Sequence, residues 1–588
     1  MENSNSYIKN QFGIGFILTI IPKTANTSLP LSFYVCTNCN KYFITKKGVF
    51  NHNCLNLGQE SKDDGQLRFQ NTLKYLYIWI AKKNVTFHSL YDRDFKGFLF
   101  CLNNEFKLPS ETTLRTNIVK FADYIEKKIF DKISNVPVSI LIDGVTRNKN
   151  KYQGIILFTS DQLYFLGLEP CEQATGENIA KIIAKTADKI YACGSKLISV
   201  CTDNAANNIA ALNYKVFSAQ HLSGQNFFRF PCVCHTTNLA AKDIFQGKYI
   251  EIFTATLNLI KYFNELSKFK LITEKVPQFK EVRWFSLSKC VLFILTHYNY
   301  LNQEARTLFD FINNKYDWRY ISLNLSVIKL LIVKLEKDCA SIADIYLNLK
   351  FAFHQLFQIS ALYPKCLETN LSFDLYTSLF NRFTTTVQMN LPFLAFFLTG
   401  YGLKSLDNLE EKKSTILSIA KETLNVYLSN KSSTEKEKLN ELFEYIINFN
   451  QQTFLYNCNS TIESVHFWRK IKNEGQFWKD EGQFPHDDKK ILASFATIAL
   501  EILSIPCSEC ACERAFSHLG DLLMNNKRNS MSFKMLNSLM LIRMNSIFQN
   551  QNGENSNQFI NHRLQGLYLK EYNENDDTEF KHDPLIFF

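Results

Sequence analysis

Residues 138–144 read VSILIDG, an apolar run of strand length that closes on Asp143, and here the hydrophobic period of the chain changes from helical to extended. Residues 152–159 (YQGIILFT) and 162–170 (QLYFLGLEP) follow as two further strands joined by turns. A helical pattern occupies 176–191, and residues 196–207 (KLISVCTDNAAN) then read as a buried strand that ends at Asp203 and opens a helix. Three antiparallel strands, a helix and a fourth strand beside the first bring the carboxyl ends of the first and fourth strands together. Asp143 and Asp203 are therefore expected to be neighbours despite their wide separation in sequence.

This strand order is that of an RNase H-like core. The predicted fold class is α/β plus all-α: an RNase H-like core interrupted by a large helical insertion and preceded by a small zinc finger and a helical domain. After the fourth strand, FFRFPCVCHTTNLAAKDIF (227–245) reads as a short strand leading into a helix, followed by QFKEVRWFSLSKC (278–290). From about 291 to 479 the pattern is helical and rich in Leu, Ile and Phe, with polar loops near 313–317 and 429–437. Upstream, residues 58–66 (GQESKDDGQ) read as a polar linker, and 67–133 as helices, the last opened by Leu108-Pro109-Ser110.

A chain of 588 residues exceeds what one core holds, and 46% apolar with 21% charged residues is the balance of a folded soluble protein. Sixteen cysteines scattered over this length read as reduced intracellular thiols rather than a disulfide framework. The net charge is +10, and residues 1–135 hold 18 Lys+Arg against 11 Asp+Glu, a bias that favours a polyanion such as nucleic acid as partner. The short apolar run at 12–21 has neither a long span nor a cleavage site, and longer runs elsewhere are broken by charge, so neither a signal peptide nor a membrane span is expected.

Cys36, Cys39, His52 and Cys54 form C-x2-C-x12-H-x-C. The first three suit a tetrahedral zinc site in which a hairpin over 34–43 supplies two thiolates. Cys54 follows His52 at a spacing too short for one helical face, so it would bind from a helix end or a bend. Lys41, Lys46 and Lys47 between the ligands favour DNA contact. Asp143 and Asp203 offer hard oxygens to a divalent cation, but two carboxylates barely satisfy two ions. A third acid is found in residues 504–545, SIPCSECACERAFSHLGDLLMNNKRNSMSFKMLNSLMLIRMN. A proline-started helix here carries Glu513 among the small residues Cys507, Ser508, Cys510, Ala511, Cys512 and Ala515, which permit close packing on a sheet. Arg514 faces another side and is read as positioning backbone or phosphate. A second helix repeats Met531, Phe533, Leu536, Leu539, Met540 and Ile542 at helical spacing and needs a surface to cover it.

With these residues in place, the chain resembles the hAT superfamily of DNA transposases through most of its length. The resemblance runs through Ile505-Pro506, Glu513-Arg514-Ala515-Phe516-Ser517, Lys527-Arg528-Asn529 and 541–545, which look like the family's C-terminal dimerisation region. Asp143-Gly144 and Thr202-Asp203-Asn204-Ala205 resemble the first two catalytic positions, Cys232-x-x-His235 with Asn238-Leu239 the C-x-x-H motif, and Arg283-Trp284 the Arg-Trp motif. VTFHSLYDRDFKGFL with LPSETTL resembles the helical segment ahead of the core, and the finger resembles the BED type. Val145 stands where the family often has Trp, and Cys507 and Cys510 where it has Ser, so no ligand is lost.

The resemblance implies metal-dependent cut-and-paste cleavage and strand transfer at terminal inverted repeats. Asp143, Asp203 and Glu513 would hold two Mg2+ or Mn2+, and structural Zn2+ would occupy the finger. Trp284 would stack on a displaced base, Arg283 would contact DNA, and His235 would lie near the scissile phosphate. Cys232 and His235 keep either a structural or a DNA-positioning role. Implied partners are double-stranded DNA, as terminal repeats and as target, and a second copy of the chain as homodimer or higher homo-oligomer; the location is the nucleus. The divisions are an N-terminal tail (1–30), a BED-type finger (31–57), a helical DNA-binding or intertwining domain (65–135), the first part of the core (136–290), the insertion (291–480), the end of the core with the dimerisation region (481–548) and a flexible tail (549–588). The other reading is a domesticated or inactive transposase-derived dimeric zinc-finger protein that binds DNA without cutting it.

Overall fold

The computed structural model describes residues 7–9, 15–21, 31–36, 42–43, 62–102, 107–147, 149–212, 227–280, 286–363, 370–408, 413–429, 431–448, 455–474, 489–524 and 531–551. They fall into two compact units, Met1–Trp79 with Arg93–Lys107, and Ile80–Asp92 with Leu108–Phe588.

In the first unit, β1 (Tyr7–Lys9), β2 (Gly15–Ile21), β3 (Leu31–Cys36) and β4 (Tyr42–Phe43) form an antiparallel sheet in that order. The β3–β4 pair, with Val35 opposite Tyr42, is the hairpin expected at 34–43. Cys36 closes β3, whereas Cys39, His52, Cys54, Lys41, Lys46 and Lys47 lie outside the described residues. Helix α1 (Lys62–Lys83) starts inside the stretch read as linker and ends in the second unit, to which the short α2 (Phe87–Leu90) also belongs; in the first unit Trp79 stacks at 5.9 Å on Phe95 of α3 (Arg93–Leu102).

The second unit holds α4 (Glu111–Ile133), opened as expected by Ser110, whose hydroxyl accepts the Thr113 N–H at 3.2 Å. Its sheet contains β5 (Pro137–Arg147), β6 (Asn150–Phe158), β7 (Leu163–Pro170), β8 (Lys196–Thr202) and β9 (Phe228–Pro231) in the order β7-β6-β5-β8-β9. The β5–β6–β7 meander is antiparallel and β8 joins β5 in parallel, the order expected for the first four strands; β9 adds a fifth, parallel to β8, whose place was not predicted. Helix α5 (Gly176–Ala192) makes the crossover to β8, and α6 (Ala206–Ala211) follows it. Both sheet faces are covered; on one of them Ile140, Ile142, Ile155 and Leu157 pack with Ile129 and Ile133 of α4 and Ile179 and Ile183 of α5, while Leu141, Ile156, Phe158 and Phe165 are buried on the other.

One difference bears on the site. β5 does not end at Asp143; Gly144 to Arg147 continue the ladder opposite Gln153 to Asn150. These residues leave the apolar core and so carry no hydrophobic signature, which is why their strand was not visible in the sequence.

Past β9 the described residues are mainly helical: α7 (Val233–Phe245), α8 (Ile250–Lys268), α9 (Ser286–Thr296), α10 (Gln303–Tyr316), α11 (Trp318–Leu335), α12 (Ala343–Leu362), α13 (Leu371–Arg382), α14 (Asn390–Phe397), α15 (Gly400–Lys404), α16 (Lys413–Tyr427), α17 (Ser433–Asn448) and α18 (Thr461–Glu474). The loop expected at 313–317 shrinks to Asp317, whose φ of 58° reverses the chain and whose carboxylate accepts the Arg319 N–H at 2.8 Å to start α11. Then come α19 (Lys489–Leu503), α20 (Cys510–Leu523) and α21 (Phe533–Gln551).

The proline-started helix is corrected: Pro506 lies outside α20 and forms a β-bridge with Ser341. Flanking it, Ile342 N–H donates to Ile505 at 3.0 Å and Val233 N–H to Cys507 at 2.9 Å. A proline has no N–H to give a ladder, so it suits this crossing point between the helical insertion and α7. The cover that α21 needs is supplied within the chain. Leu536, Leu539, Met540 and Ile542 are buried, and the helix packs on α4 and β7. Its asparagines close the outer edge of β7: Asn545 accepts the Phe165 N–H at 3.0 Å and donates to its carbonyl at 2.8 Å, and Asn537 accepts the Leu168 N–H at 2.8 Å. Gly167 between them has φ 146°, a conformation left to glycine, and a side chain there would meet Asn537.

Candidate active site

Parallel pairing sets the first two acids side by side. Leu141 of β5 is in register with Cys201 of β8, and two residues further along each chain stand Asp143 and Asp203. Adjacent strands run about 4.8 Å apart and alternate residues share a face, so both carboxylates emerge at the same sheet edge. Asp143 accepts the N–H of Gly144 at 2.7 Å. Asp203 uses one oxygen, Oδ1, to accept the Ala205 N–H at 2.9 Å and the Asn208 amide at 2.5 Å. The first of these is a turn built by an aspartate side chain on its own backbone.

The third acid arrives on α20, which lies across β5 and β6. Gly154 of β6 makes room for it: a Cβ there would stand 2.7 Å from the ring of Phe516. Glu513 is half-buried on the same helix. Burial, together with the charges of Asp203, Glu513 and Cys510, pushes the Asp143 carboxyl up to about 7, against the opposing pull of the Gly144 N–H. Three segments far apart in sequence thus meet in one electrostatic neighbourhood. As the side chains stand, no three His, Cys, Asp or Glu groups among the described residues converge closely enough to grip one ion. The donor set itself, hard carboxylates whose charges oppose the ionisation of Asp143, fits a hard divalent cation. Gly154→Ala is expected to unseat α20 at a cost of about 1–3 kcal/mol, read as a lower denaturation midpoint; an unchanged midpoint would show that Phe516 yields freely.

Other residues brace this centre, and they were missed in the sequence. Arg229 of β9 donates Nε to Thr202 Oγ1 at 2.9 Å and Nη2 to the Asp203 carbonyl at 2.5 Å and to Asn204 Oδ1 at 2.7 Å, clamping the loop that carries Asp203. Asn208 is buried behind the carboxylate. Among the residues singled out in sequence, Cys232 is fully buried and caps α7, its sulfur accepting the His235 N–H at 3.4 Å. His235 stands in the first turn of α7 within electrostatic reach of Asp203; burial lowers its pKa although Asp203 pulls the other way. Arg514 turns away from the acids, donating to the Glu336 carbonyl at 2.8 Å and pairing with Asp338. It therefore positions backbone at the end of α11. Arg283 and Trp284 lie outside the described residues.

No helix among the described residues is long and apolar enough to cross a membrane. No curated protein matches this chain. Residues 462–546, which run from α18 into α21 and include Glu513, match the family model of the hAT family C-terminal dimerisation region, a match that supports kinship with the hAT family and assembly as a homo-oligomer.

Proposed function

We propose that this protein is a hAT-like DNA transposase that cleaves DNA at terminal inverted repeats and joins the freed ends to target DNA. The observation that carries the reading is geometric: parallel pairing of β5 and β8 sets Asp143 beside Asp203, and α20, from the family-matched segment, lies across β5 and β6 with Glu513 close enough for its charge to act on Asp143. In this reading the sheet with α20 is an RNase H-like core, split between 136–290 and 481–548 around the insertion. Asp143, Asp203 and Glu513 would hold two Mg2+ or Mn2+, which when bound supply neutralisation of phosphate charge and a lowered pKa for water.

The chain's own groups do the rest. Asn208 holds one carboxylate oxygen of Asp203 and Arg229 holds its backbone carbonyl, so the position of this acid is fixed by the protein. His235, whose pKa is lowered by burial, would accept or donate a hydrogen bond near Asp203. Cys36, Cys39, His52 and Cys54 would hold zinc in a BED-type finger, which with Lys41, Lys46 and Lys47 would bind double-stranded DNA, and Arg283 and Trp284 would contact DNA near the cut. The protein would act as a homo-oligomer in the nucleus.

The test is a purified-protein reaction with Mg2+ or Mn2+ and double-stranded DNA carrying the gene's own flanking repeats. Cleavage that disappears in Asp203→Asn is expected. Tight binding without cleavage in either metal would replace this reading with that of a transposase-derived DNA-binding protein.

A further inference from the structure

The acids repel the substrate they would cut: before cations bind, a carboxylate cluster pushes phosphates away. Positive side chains must hold the backbone beside it, and β5 leads directly to such a set. The strand continues four residues past Asp143 to Arg147. Side chains at 143, 145 and 147 share one face, which puts Arg147 roughly 13 Å along the same surface. There its guanidinium lies against Gly520 of α20, where a Cβ would stand 3.6 Å from Nη2. Gly520 is two helical turns, roughly 10 Å, beyond Glu513, so strand and helix run alongside each other from the acids to the arginine. The helix residue between them, Ser517, is small and exposed. The same hairpin carries Lys149, at φ 67° in its turn, and Lys151, both exposed. Among the described residues, no carboxylate pairs with Arg147, Lys149 or Lys151.

We infer that the β5–β6 hairpin is a DNA-backbone contact in which Arg147, seated on Gly520, binds a phosphate further along the strand whose scissile phosphate lies at Asp143, Asp203 and Glu513, with Lys149 and Lys151 widening the contact. This rests on reading the three acids as a DNA-cleaving centre. A guanidinium suits the task because its planar fork engages two phosphate oxygens at once and stays charged. The plainer role for Arg147, a cation near the C-terminal end of α20, would affect folding and not binding. Arg147 is a positioning residue for the cut, and because phosphates carry no sequence information its effect extends to any duplex.

The experiment measures binding of the full chain, without divalent metal, to a short repeat-bearing duplex and to an unrelated duplex over a range of salt concentrations. Wild-type binding falls with salt, and Arg147→Ala is expected to weaken it on both duplexes and to reduce the salt slope by about 1. Arg147→Lys should keep the slope, and Lys268→Ala, on α8, should change nothing. Thermal melting run in parallel shows whether each variant is folded. If the wild type binds with a salt slope and folded Arg147→Ala keeps the same slope and affinity, the hairpin contact is overturned while the transposase reading stands. If the wild type binds neither duplex, both fall. Should Arg147→Ala be unfolded, folded Lys149→Ala/Lys151→Ala carries the same expectation and the same refutation.

Discussion

Metal-free Asp143→Asn is expected to be more stable than the wild type at pH 8 and to lose the stabilisation that Mg2+ or Mn2+ gives. The sign follows from the proton. In the unfolded chain this carboxyl ionises near 3.9, but in the fold it keeps its proton until about 7, because ionisation is opposed by burial and by Asp203, Glu513 and Cys510. Between those values the folded state binds more protons than the unfolded state, so the contribution of Asp143 to stability falls as pH rises through the window and stays lost above it. Asn has no proton to lose. The two proteins should therefore differ least near pH 4 and most above pH 7, a comparison that cancels the titration of every other carboxylate. A cation bound beside Asp143 reverses the penalty: at one hundred times its Kd it stabilises the wild type by about 2.7 kcal/mol. Denaturation curves at several pH values, with and without Mn2+, read both effects. A wild type that gains stability relative to Asp143→Asn between pH 4 and 7, or a variant that responds to Mn2+ as fully as the wild type, would contradict the account.

The part of this centre that was legible in the sequence is the part that rests on pattern. The apolar runs at 138–144 and 196–202 give strand identity, the intervening helix gives the crossover, and these fix Asp143 beside Asp203 before any side chain is placed. Small residues around Glu513 indicate a helix that must pack closely, and Gly154 under Phe516 shows what it packs against. What could not be read is polar and long-range. Arg229 reaches three acceptors on the loop at 202–204, and neither its spacing nor its neighbours mark it among the many basic residues. The exposed end of β5 was invisible because a solvated hairpin needs no apolar alternation. Pro506 pointed to a helix start, yet its missing N–H serves equally well at an isolated bridge. The apolar stripe of α21 correctly called for a covering surface, but periodicity does not say whether that surface is another molecule or the chain's own α4 and β7.

That distinction separates assembly from catalysis. The buried stripe of α21 is used inside the chain, and the acid proposed for catalysis stands on a different helix of the matched region, α20. Helix α20 is held by Cys512, Ala515, Phe516, Leu519 and Leu522, all buried, while Glu513 is half-exposed beside the sheet edge. An amide in its place keeps the shape and removes the charge. The most direct measurement is therefore Glu513→Gln against the wild type in two readouts, the molecular mass of the assembly in solution and cleavage of repeat-bearing DNA with Mn2+. The account predicts an oligomer of unchanged mass whose cleavage falls by more than the roughly 10- to 100-fold that follows loss of a group merely supporting a metal ligand. Wild-type cleavage retained by Glu513→Gln would contradict it, because the third acid would then not belong to the centre.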